Sequence, residues 1–253
     1  GQNSAYIAKN YKSQKFIAYF QNFTNTYLPL QQFKQYIAEA CEEDVVAIYI
    51  STRPDCVNDS YLAFLQELKC NVAANKLDIV IELGLQTVNY HTLDKLNRNH
   101  GLAEFIDAVL RIKRHGLESC AHYIVDLPWD DMKDVIEGAK ILSALQVEQV
   151  KCHSLYILRD TVLGRLYEEG KISPISIEGY IERIITFLEY LDPEIVIQRL
   201  IGRAPQERTL FCNWGASWWK LHDMVMEKMT AEGRYQGKLF GYLNGKKYKE
   251  FYR

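Results

Sequence analysis

The feature that most constrains the fold is a regular alternation of short apolar segments with longer amphipathic ones. Six segments have the length and the β-branched or aromatic composition of strands: 15–20, 45–50, 78–83, 120–125, 150–156 and 195–200. Successive segments start about 30 to 45 residues apart, which leaves room for a helix between each pair. This order predicts βαβ crossovers and a parallel sheet.

Helical periodicity fills the gaps between these strands. The predicted helices are 30–41, 59–68, 102–115, 131–145 and 177–191. About six strand–helix units fit either an open doubly wound sheet or a partial barrel, and the pattern alone does not choose between them. Both architectures place the active site at the carboxyl ends of the strands, so polar residues there become candidates.

Charge and hydropathy exclude several classes of protein. The 253 residues carry a formal net charge of −2, which demands neither nucleic acid nor an anionic membrane as partner. No apolar run approaches the roughly 18 residues of a membrane span, and the first residues lack a signal-peptide pattern. We expect a soluble, cytoplasmic protein with no membrane partner.

The cysteines are dispersed along the chain. The six positions are Cys41, Cys56, Cys70, Cys120, Cys152 and Cys212. No C-x-x-C occurs, so no zinc ribbon, redox pair or local iron–sulfur motif is visible. Several of these cysteines lie in apolar stretches, which predicts buried reduced thiols.

Polar residues interrupt or follow the apolar strands. Glu82 lies in an otherwise apolar strand, where burying an ionisable side chain is costly unless it is paired. It either has a functional role or forms a structural ion pair with a neighbouring arginine. His122 and His153 lie in neighbouring predicted strands. They lack a third metal ligand at a recognisable spacing, so two core histidines remain an alternative. Arg98 lies between two helices, either holding a carboxylate or exposed to solvent.

Common nucleotide and hydrolase motifs are absent from the sequence. It contains no G-x-G-x-x-G, G-x-x-x-x-G-K-[ST], H-E-x-x-H or G-x-S-x-G. Dehydrogenase, P-loop NTPase, zincin and α/β-hydrolase functions therefore lose their usual support.

Four collinear segments nevertheless resemble a known family. These are Ser-Thr-Arg-Pro-Asp-Cys at 51–56, Glu-Leu-Gly-Leu-Gln-Thr at 82–87, Thr-Leu-Asp-Lys-Leu-Asn-Arg at 92–98 and His-Tyr-Ile-Val at 122–125. Together they resemble the radical SAM superfamily, in particular its YhcC/YtqA-like subfamily. The resemblance covers nearly the whole chain.

The resemblance implies a fold, a chemistry and partners. The fold class would be α/β, a partial (β/α)6 TIM-type barrel without its first strand and cluster loop, with a C-terminal α/β extension. Such enzymes bind S-adenosylmethionine beside a [4Fe-4S] cluster, and reductive cleavage yields methionine and a 5′-deoxyadenosyl radical that abstracts a substrate hydrogen. An electron donor such as flavodoxin or ferredoxin would be a partner.

The resemblance also implies which residues contact the cofactor. They are Gln21, Asn22, Thr52, Glu82, Gln86, Arg98, His122 and His153. The first two would lie near the methionine amino group. Glu82, Gln86 and Arg98 would serve the ribose and carboxylate region, and the two histidines would approach the adenine or the substrate.

This chain departs from the family pattern in two places. The family's cluster is held by three cysteines, two of them as C-x-x-C, in a segment before the first strand above, and this sequence contains no such trio. We expect that segment to have been removed, which would leave this chain alone inactive, with the cluster ligands outside it. Asp126 and Trp129 stand where the family usually has glycine, and Trp129 would reshape the substrate pocket.

The C-terminal segment breaks the repeat. From residue 201 the chain is aromatic-rich, and residues 231–253 hold six basic side chains against two acidic ones. Asn244-Gly245 predicts a short hairpin turn. We predict a barrel at 1–200 and an aromatic, basic extension at 201–253 packed on it. Lysine and arginine contact phosphates and aromatic rings stack on bases, so a tRNA substrate is compatible with this segment.

The resemblance therefore favours a radical SAM enzyme, with tRNA modification as the activity compatible with the C-terminal segment. Two alternatives stay open. One is a degenerate, non-catalytic barrel that binds nucleotide or RNA. The other is a non-radical barrel lyase, for which Lys151 is the strand lysine in a suitable place.

Overall fold

The computed structural model describes residues 14–22, 24–71, 77–204 and 207–244. The strands are β1 (Phe16–Phe20), β2 (Val45–Thr52), β3 (Asp78–Gln86), β4 (Glu118–Ile124), β5 (Gln149–His153), β6 (Tyr156–Leu158), β7 (Val196–Arg199) and β8 (Thr209–Cys212). The helices are α1 (Leu30–Glu39), α2 (Asp59–Asn71), α3 (Tyr90–Lys95), α4 (Leu102–Arg114), α5 (Met132–Leu145), α6 (Val162–Glu168), α7 (Ile177–Tyr190) and α8 (Trp218–Ala231).

Six of these strands form one sheet in the order β1-β2-β3-β4-β5-β7. The pairs β1–β2, β2–β3 and β5–β7 are parallel, and at least one helix separates consecutive strands of the sheet. Strands β6 and β8 form a separate antiparallel pair. This arrangement confirms the predicted α/β fold class, a partial (β/α)6 barrel.

The predicted elements match the observed ones to within a few residues, with instructive exceptions. The predicted strand 150–156 is two strands, because the chain leaves the main sheet at Ser154 and Leu155 and pairs with β8. Helices α3, α6 and α8 were not predicted: the first two are too short for clear periodicity. The predicted turn at Asn244-Gly245 reaches beyond the described residues.

The chain divides into two compact units. The first comprises Gly1–Gly84 and Ala103–Cys120, and the second Leu85–Leu102 and Ala121–Arg253. In the first unit, residues 79–83 of β3 are buried on both faces, as expected for a parallel strand, whereas β2 is buried on one face and largely half-buried on the other. The apolar stripe of α4, from Phe105 to Ile112, is fully buried, which explains the strong helical periodicity of that segment.

The second unit depends on a close approach between α5 and β4. A Cβ atom at Gly138 of α5 would collide with the ring and hydroxyl of Tyr123, so a larger residue would force the ring or the helix to move. The Tyr123 hydroxyl donates to the carbonyl of Asp134 (3.0 Å), and its ring stacks on Phe187 of α7 at 5.0 Å. Helix α5 begins with a capping box between Asp131 and Asp134.

Within the second unit, ion pairs and hydrogen bonds connect the segment after α8 to α7. Arg234 makes 2.7 Å ion pairs with both Glu182 and Glu189. The hydroxyl of Tyr242 donates to the carbonyl of Tyr190 (2.6 Å).

The division into parts at residue 200 stays a prediction. Among the described residues, no helix combines the length and the apolar character that a bilayer crossing requires.

Candidate functional site

A cavity of about 580 Å³ opens in the second unit, at the carboxyl ends of β3, β4 and β5. Its polar lining is Gln86, Arg98, His122, His153, Ser154 and Thr161, and its apolar lining includes Leu96, Ile124, Leu127, Leu155, Leu158 and Leu163. Sites for small ligands typically have this size and this mixture of apolar walls and few polar groups. Four of the eight residues predicted to bind cofactor therefore line one cavity.

Gln86 is the last residue of β3 and has a left-handed backbone, with φ of +70°. Residues other than glycine avoid this conformation, which costs roughly 1–2 kcal/mol. The turn is held by a backbone hydrogen bond from Thr87 to Leu85 (3.0 Å). It directs an amide side chain, both donor and acceptor, to the cavity wall.

Arg98 is positioned by the turn that follows α3. The flanking residues Asn97 and Asn99 both have left-handed backbones, with φ of 52° and 57°, which asparagine tolerates better than most residues. The amide of Arg98 donates to the carbonyl of Leu93 (3.2 Å), and α3 itself starts at an Asn89 side-chain cap. The turn residues thus place a guanidinium at the cavity rather than in solvent.

His122 and His153 come from neighbouring strands, as predicted, and lie side by side. Their ring centroids are 5.4 Å apart with planes inclined by 39°. Gly202 packs directly against the second ring, because a Cβ at this position would lie 2.8 Å from Nδ1 of His153. Two imidazoles on one wall can exchange hydrogen bonds with a nucleobase or a polar substrate.

The structure adds positioning residues that the sequence did not reveal. Asn213 is 4% exposed, accepts a hydrogen bond from the Ser154 hydroxyl (2.5 Å) and donates to the carbonyl of Gly202 (3.2 Å). It therefore links the cavity wall at Ser154 to the loop behind His153. No motif marks this role; the φ of 50° at Asn213 is apparent only in the structure.

The loop after β4 carries the two departures from the family pattern. Asp126 is fully buried, and its Oδ1 accepts a hydrogen bond from the amide of Leu155 (2.8 Å). Burial raises the pKa of this carboxyl to about 7. Trp129 is not among the side chains that line the cavity; it packs against the core cluster containing Leu127 and Ile172, with the Lys95 ammonium over its ring.

In the first unit, Glu82 is 1% exposed and hydrogen-bonded. Its Oε2 accepts from the hydroxyls of Tyr19 (2.6 Å) and Ser51 (2.7 Å). These hydroxyls come from β1 and β2, so the carboxylate is held by its neighbours in the sheet. Hydrogen bonds to an ionised carboxylate offset part of its cost of burial.

The other predicted residues of the first unit lie at the ends of β1 and β2. Thr52 is buried, and its hydroxyl is hydrogen-bonded to that of Thr26 (2.5 Å), which makes a structural contact. Gln21 and Asn22 are exposed. Asn22 borders a groove of about 1000 Å³ with Asn25, among other residues.

Comparison with known proteins identifies the family. A model described as the Radical SAM superfamily matches residues 5–142, and one described as the Radical_SAM C-terminal domain matches residues 147–231. The chain belongs to the radical SAM superfamily. This confirms the family expected from the motifs at 51–56, 82–87 and 122–125.

Relatives of this radical SAM protein match most of its length. It is 34% identical to YtqA of Bacillus subtilis, over 92% of this chain and 71% of YtqA, and 27% identical to YhcC of Escherichia coli K12, over 91% and 73%. It is also 27% identical to a tRNA uridine(34) acetyltransferase of Methanocaldococcus jannaschii, over 67% of this chain and 30% of that protein.

A solved structure shares the fold. The archaeal Elp3 of Methanocaldococcus infernus, with residues 1–46 deleted, has a TM-score of 0.76 and 18% identity, over 93% of this chain and 59% of that chain. At this identity the likeness concerns the fold alone. Membership of the superfamily, which typically uses a [4Fe-4S] cluster and S-adenosylmethionine, indicates an enzyme.

The cysteines of this radical SAM chain do not fit a cluster. A [4Fe-4S] cluster needs several thiolates converging on one point. All six cysteines lie in the described residues, and no three of them come within ligand distance of one another. Cys120 and Cys152 are buried as predicted, and burial raises the pKa of Cys152 to about 12, whereas Cys70 is exposed.

Lys151, the residue on which the lyase alternative depends, lies on β5 and is 7% exposed. It is not among the side chains that line the cavity. A Schiff-base lysine must reach its substrate, so this placement together with the family assignment disfavours the lyase.

Proposed function

We propose that this chain forms the S-adenosylmethionine-binding barrel of a radical SAM enzyme. The observation that carries the proposal is the convergence of Gln86, Arg98, His122 and His153 on one cavity at the carboxyl ends of three parallel strands. Ligands of open α/β sheets bind at this end of the strands. Membership of the superfamily supports the same ligand.

The chemistry of the lining fits a sulfonium nucleoside with an amino-acid tail. The guanidinium of Arg98 suits the carboxylate, because arginine can hold both oxygens at once. Gln86 offers a donor and an acceptor to the ribose hydroxyls. His122 and His153 face the adenine edge or the substrate, and Leu96, Ile124 and Leu127 supply apolar surface for the ring.

When bound, S-adenosylmethionine is the source of the 5′-deoxyadenosyl radical that abstracts a substrate hydrogen. The apolar wall of Leu155, Leu158 and Leu163 excludes water from the space around it. The cysteines of this chain do not assemble a cluster site, so no step is assigned to one. An electron donor of the flavodoxin or ferredoxin type remains part of the proposal, as do the predicted roles of the residues in the first unit.

We also propose RNA, and specifically tRNA, as the substrate class. A relative over two thirds of this chain is a tRNA uridine(34) acetyltransferase. The segment after residue 200 is rich in tryptophan, tyrosine, lysine and arginine, which stack on bases and contact phosphates.

Calorimetric titration with S-adenosylmethionine tests the cavity. We expect saturable binding, and we expect Arg98→Gln to raise the Kd about tenfold or more, because a charge-assisted hydrogen bond contributes about 1.5–3 kcal/mol. Arg114→Gln is the matched control, since this arginine is exposed at the end of α4 and should leave the Kd unchanged. No binding by the wild type, or equal Kd values for Arg98→Gln and the control, would contradict the proposal.

The non-catalytic alternative is favoured by the dispersed cysteines. An assay of 5′-deoxyadenosine release distinguishes this alternative from the enzyme. The full-length protein is reconstituted anaerobically with iron and sulfide, and dithionite is then added. Release supports the enzyme. Binding of S-adenosylmethionine without release, in a protein that carries its cluster, would establish a binding module instead.

A further inference from the structure

A second cavity, of about 500 Å³, lies in the same unit beyond the end of β7. It is lined by residues of β7, of the loop that follows it and of the first turns of α8. Its polar lining is Gln198, Arg199, Arg203, Trp218 and His222. Among the described residues that line the cavity there is no carboxylate, and Arg199 and Arg203 carry positive charge.

Arg199 is the last residue of β7, is half-buried and provides one of the two arginine side chains of the cavity. Its Nε is buried and has no hydrogen-bond partner within the part of the chain that the structure describes. A buried donor without an acceptor destabilises the protein, and more so when it is charged. An anionic ligand in the cavity would satisfy this donor and make a charge-assisted bond.

Arg203 and Trp218 form a cation–π pair at the cavity, which we call the platform. The guanidinium carbon of Arg203 lies 4.5 Å from the centroid of the Trp218 ring. Both side chains are exposed, the tryptophan to 39%. Aromatic rings and arginine planes are surfaces on which nucleobases stack.

The start of α8 adds to the positive potential. Trp218 is the first residue of this 14-residue helix, whose N-terminus carries a partial positive charge. His222 lies one turn later, and its Nδ1 is 3.6 Å from the exposed carboxylate of Asp223. That carboxylate lies beside the histidine on the same helix and is not among the described residues that line the cavity.

We infer that this second cavity binds one nucleotide of a single RNA strand. Its phosphate meets Arg199, and its base stacks on the platform of Arg203 and Trp218. The combination of a buried Nε of Arg199 that lacks an acceptor among the described residues with an adjacent stacking surface distinguishes this ligand from a bare phosphate, which needs no platform. The choice of RNA as the ligand rests on the proposed function. The inference adds a binding site for that substrate outside the first cavity.

Fluorescence anisotropy with a labelled five-nucleotide oligouridylate tests the inference, with uridine monophosphate and uridine as competitors. We expect uridine monophosphate to compete about tenfold better than uridine. Arg199→Gln should raise the Kd for the oligonucleotide about tenfold, and it should reduce the slope of log Kd against log salt by about 0.7, the loss of one phosphate contact on a single strand.

Trp218→Leu should weaken binding by a similar factor and leave the salt slope unchanged, because stacking carries no charge. This variant changes an exposed side chain, so it is informative even if Arg199→Gln destabilises β7. Arg165→Gln, at an exposed arginine of α6, is the control for general loss of positive charge. It should change the Kd less than twofold.

The inference is overturned if the oligonucleotide does not bind the wild type at low salt, if uridine competes as well as its monophosphate, or if both cavity variants match Arg165→Gln. Titration of the same variants with S-adenosylmethionine keeps the two proposals separate. Loss of oligonucleotide binding with unchanged S-adenosylmethionine binding supports the second cavity. Absent S-adenosylmethionine binding in the wild type contradicts the proposed function and leaves the oligonucleotide results to decide the second cavity.

Discussion

Replacement of Asp126 by asparagine should make this protein more stable at neutral and alkaline pH. The carboxyl is fully buried, with its Oδ1 accepting from the Leu155 amide and its Oδ2 lacking a partner among the described residues. Burial raises its pKa from 3.8 to about 7, against the smaller opposing effects of that amide and of Arg183. Asparagine has nearly the same volume, keeps an acceptor for Leu155 and cannot ionise.

The sign of the effect follows from proton binding. Between pH 4 and pH 7 the native carboxyl keeps a proton that the unfolded chain has released, so the free energy of unfolding falls as the pH rises through this window. The shift of about 3 pH units corresponds to a penalty on the order of 4 kcal/mol above pH 7. Below pH 4 both states are protonated and the penalty vanishes.

Urea unfolding between pH 5 and pH 8.5 measures this penalty. We expect the difference in unfolding free energy between Asp126→Asn and the wild type to grow by about 2 kcal/mol from pH 5 to pH 7 and to level off near pH 8. Asp94→Asn, at an exposed aspartate of α3, should follow the wild type at every pH. Burial also raises the pKa of Asp130, but this carboxyl is present in all three proteins and cancels in the difference. A constant difference across the range would refute the reasoning.

Three further substitutions test the packing and the backbone conformation of the second unit. Gly202→Ala should displace the imidazole of His153. We expect calorimetry to show S-adenosylmethionine binding weakened by about tenfold, and the free energy of unfolding to fall by about 1–3 kcal/mol. Unchanged affinity would show that the position of this ring is unimportant. Gln86→Gly should leave the free energy of unfolding unchanged or raise it by up to about 1 kcal/mol, because glycine adopts positive φ freely. S-adenosylmethionine binding should weaken, because the amide is lost. A clear loss of stability would contradict the backbone strain inferred at Gln86. Gly138→Ala should lower the free energy of unfolding in urea by about 1–3 kcal/mol through collision with Tyr123, and a neutral result would mean that α5 can shift.

Much of the fold could be predicted from the sequence, because local patterns and tertiary structure agree. The apolar run at 78–83 is buried on both faces, and the stripe along 102–115 is the buried face of α4. Helix α8 was missed because its first turn is aromatic and half exposed, so its periodicity is weak. Where the chain leaves one sheet for another, at Ser154, no residue type marks the change.

The candidate site was predictable only in part, for a physical reason. Gln86, His122 and His153 end or nearly end parallel strands, and such ends meet at one edge of a sheet, so their convergence follows from the pattern. Gly202 and Asn213 act through contacts between segments about 50 residues apart, which periodicity does not report. The roles of Gln21, Asn22, Thr52 and Glu82 stay predictions.

The hydrogen bonds of Asn213 bear on where this polypeptide can be cut. Its side chain joins Ser154 to Gly202, so a wall of the first cavity is completed by residues that follow the sixth strand of the sheet. A fragment ending near residue 200 would retain every strand of that sheet and still leave the Ser154 hydroxyl without its acceptor. Limited proteolysis near residue 200 should therefore yield a fragment that keeps its secondary structure and loses its affinity for S-adenosylmethionine, the ligand of the proposed function.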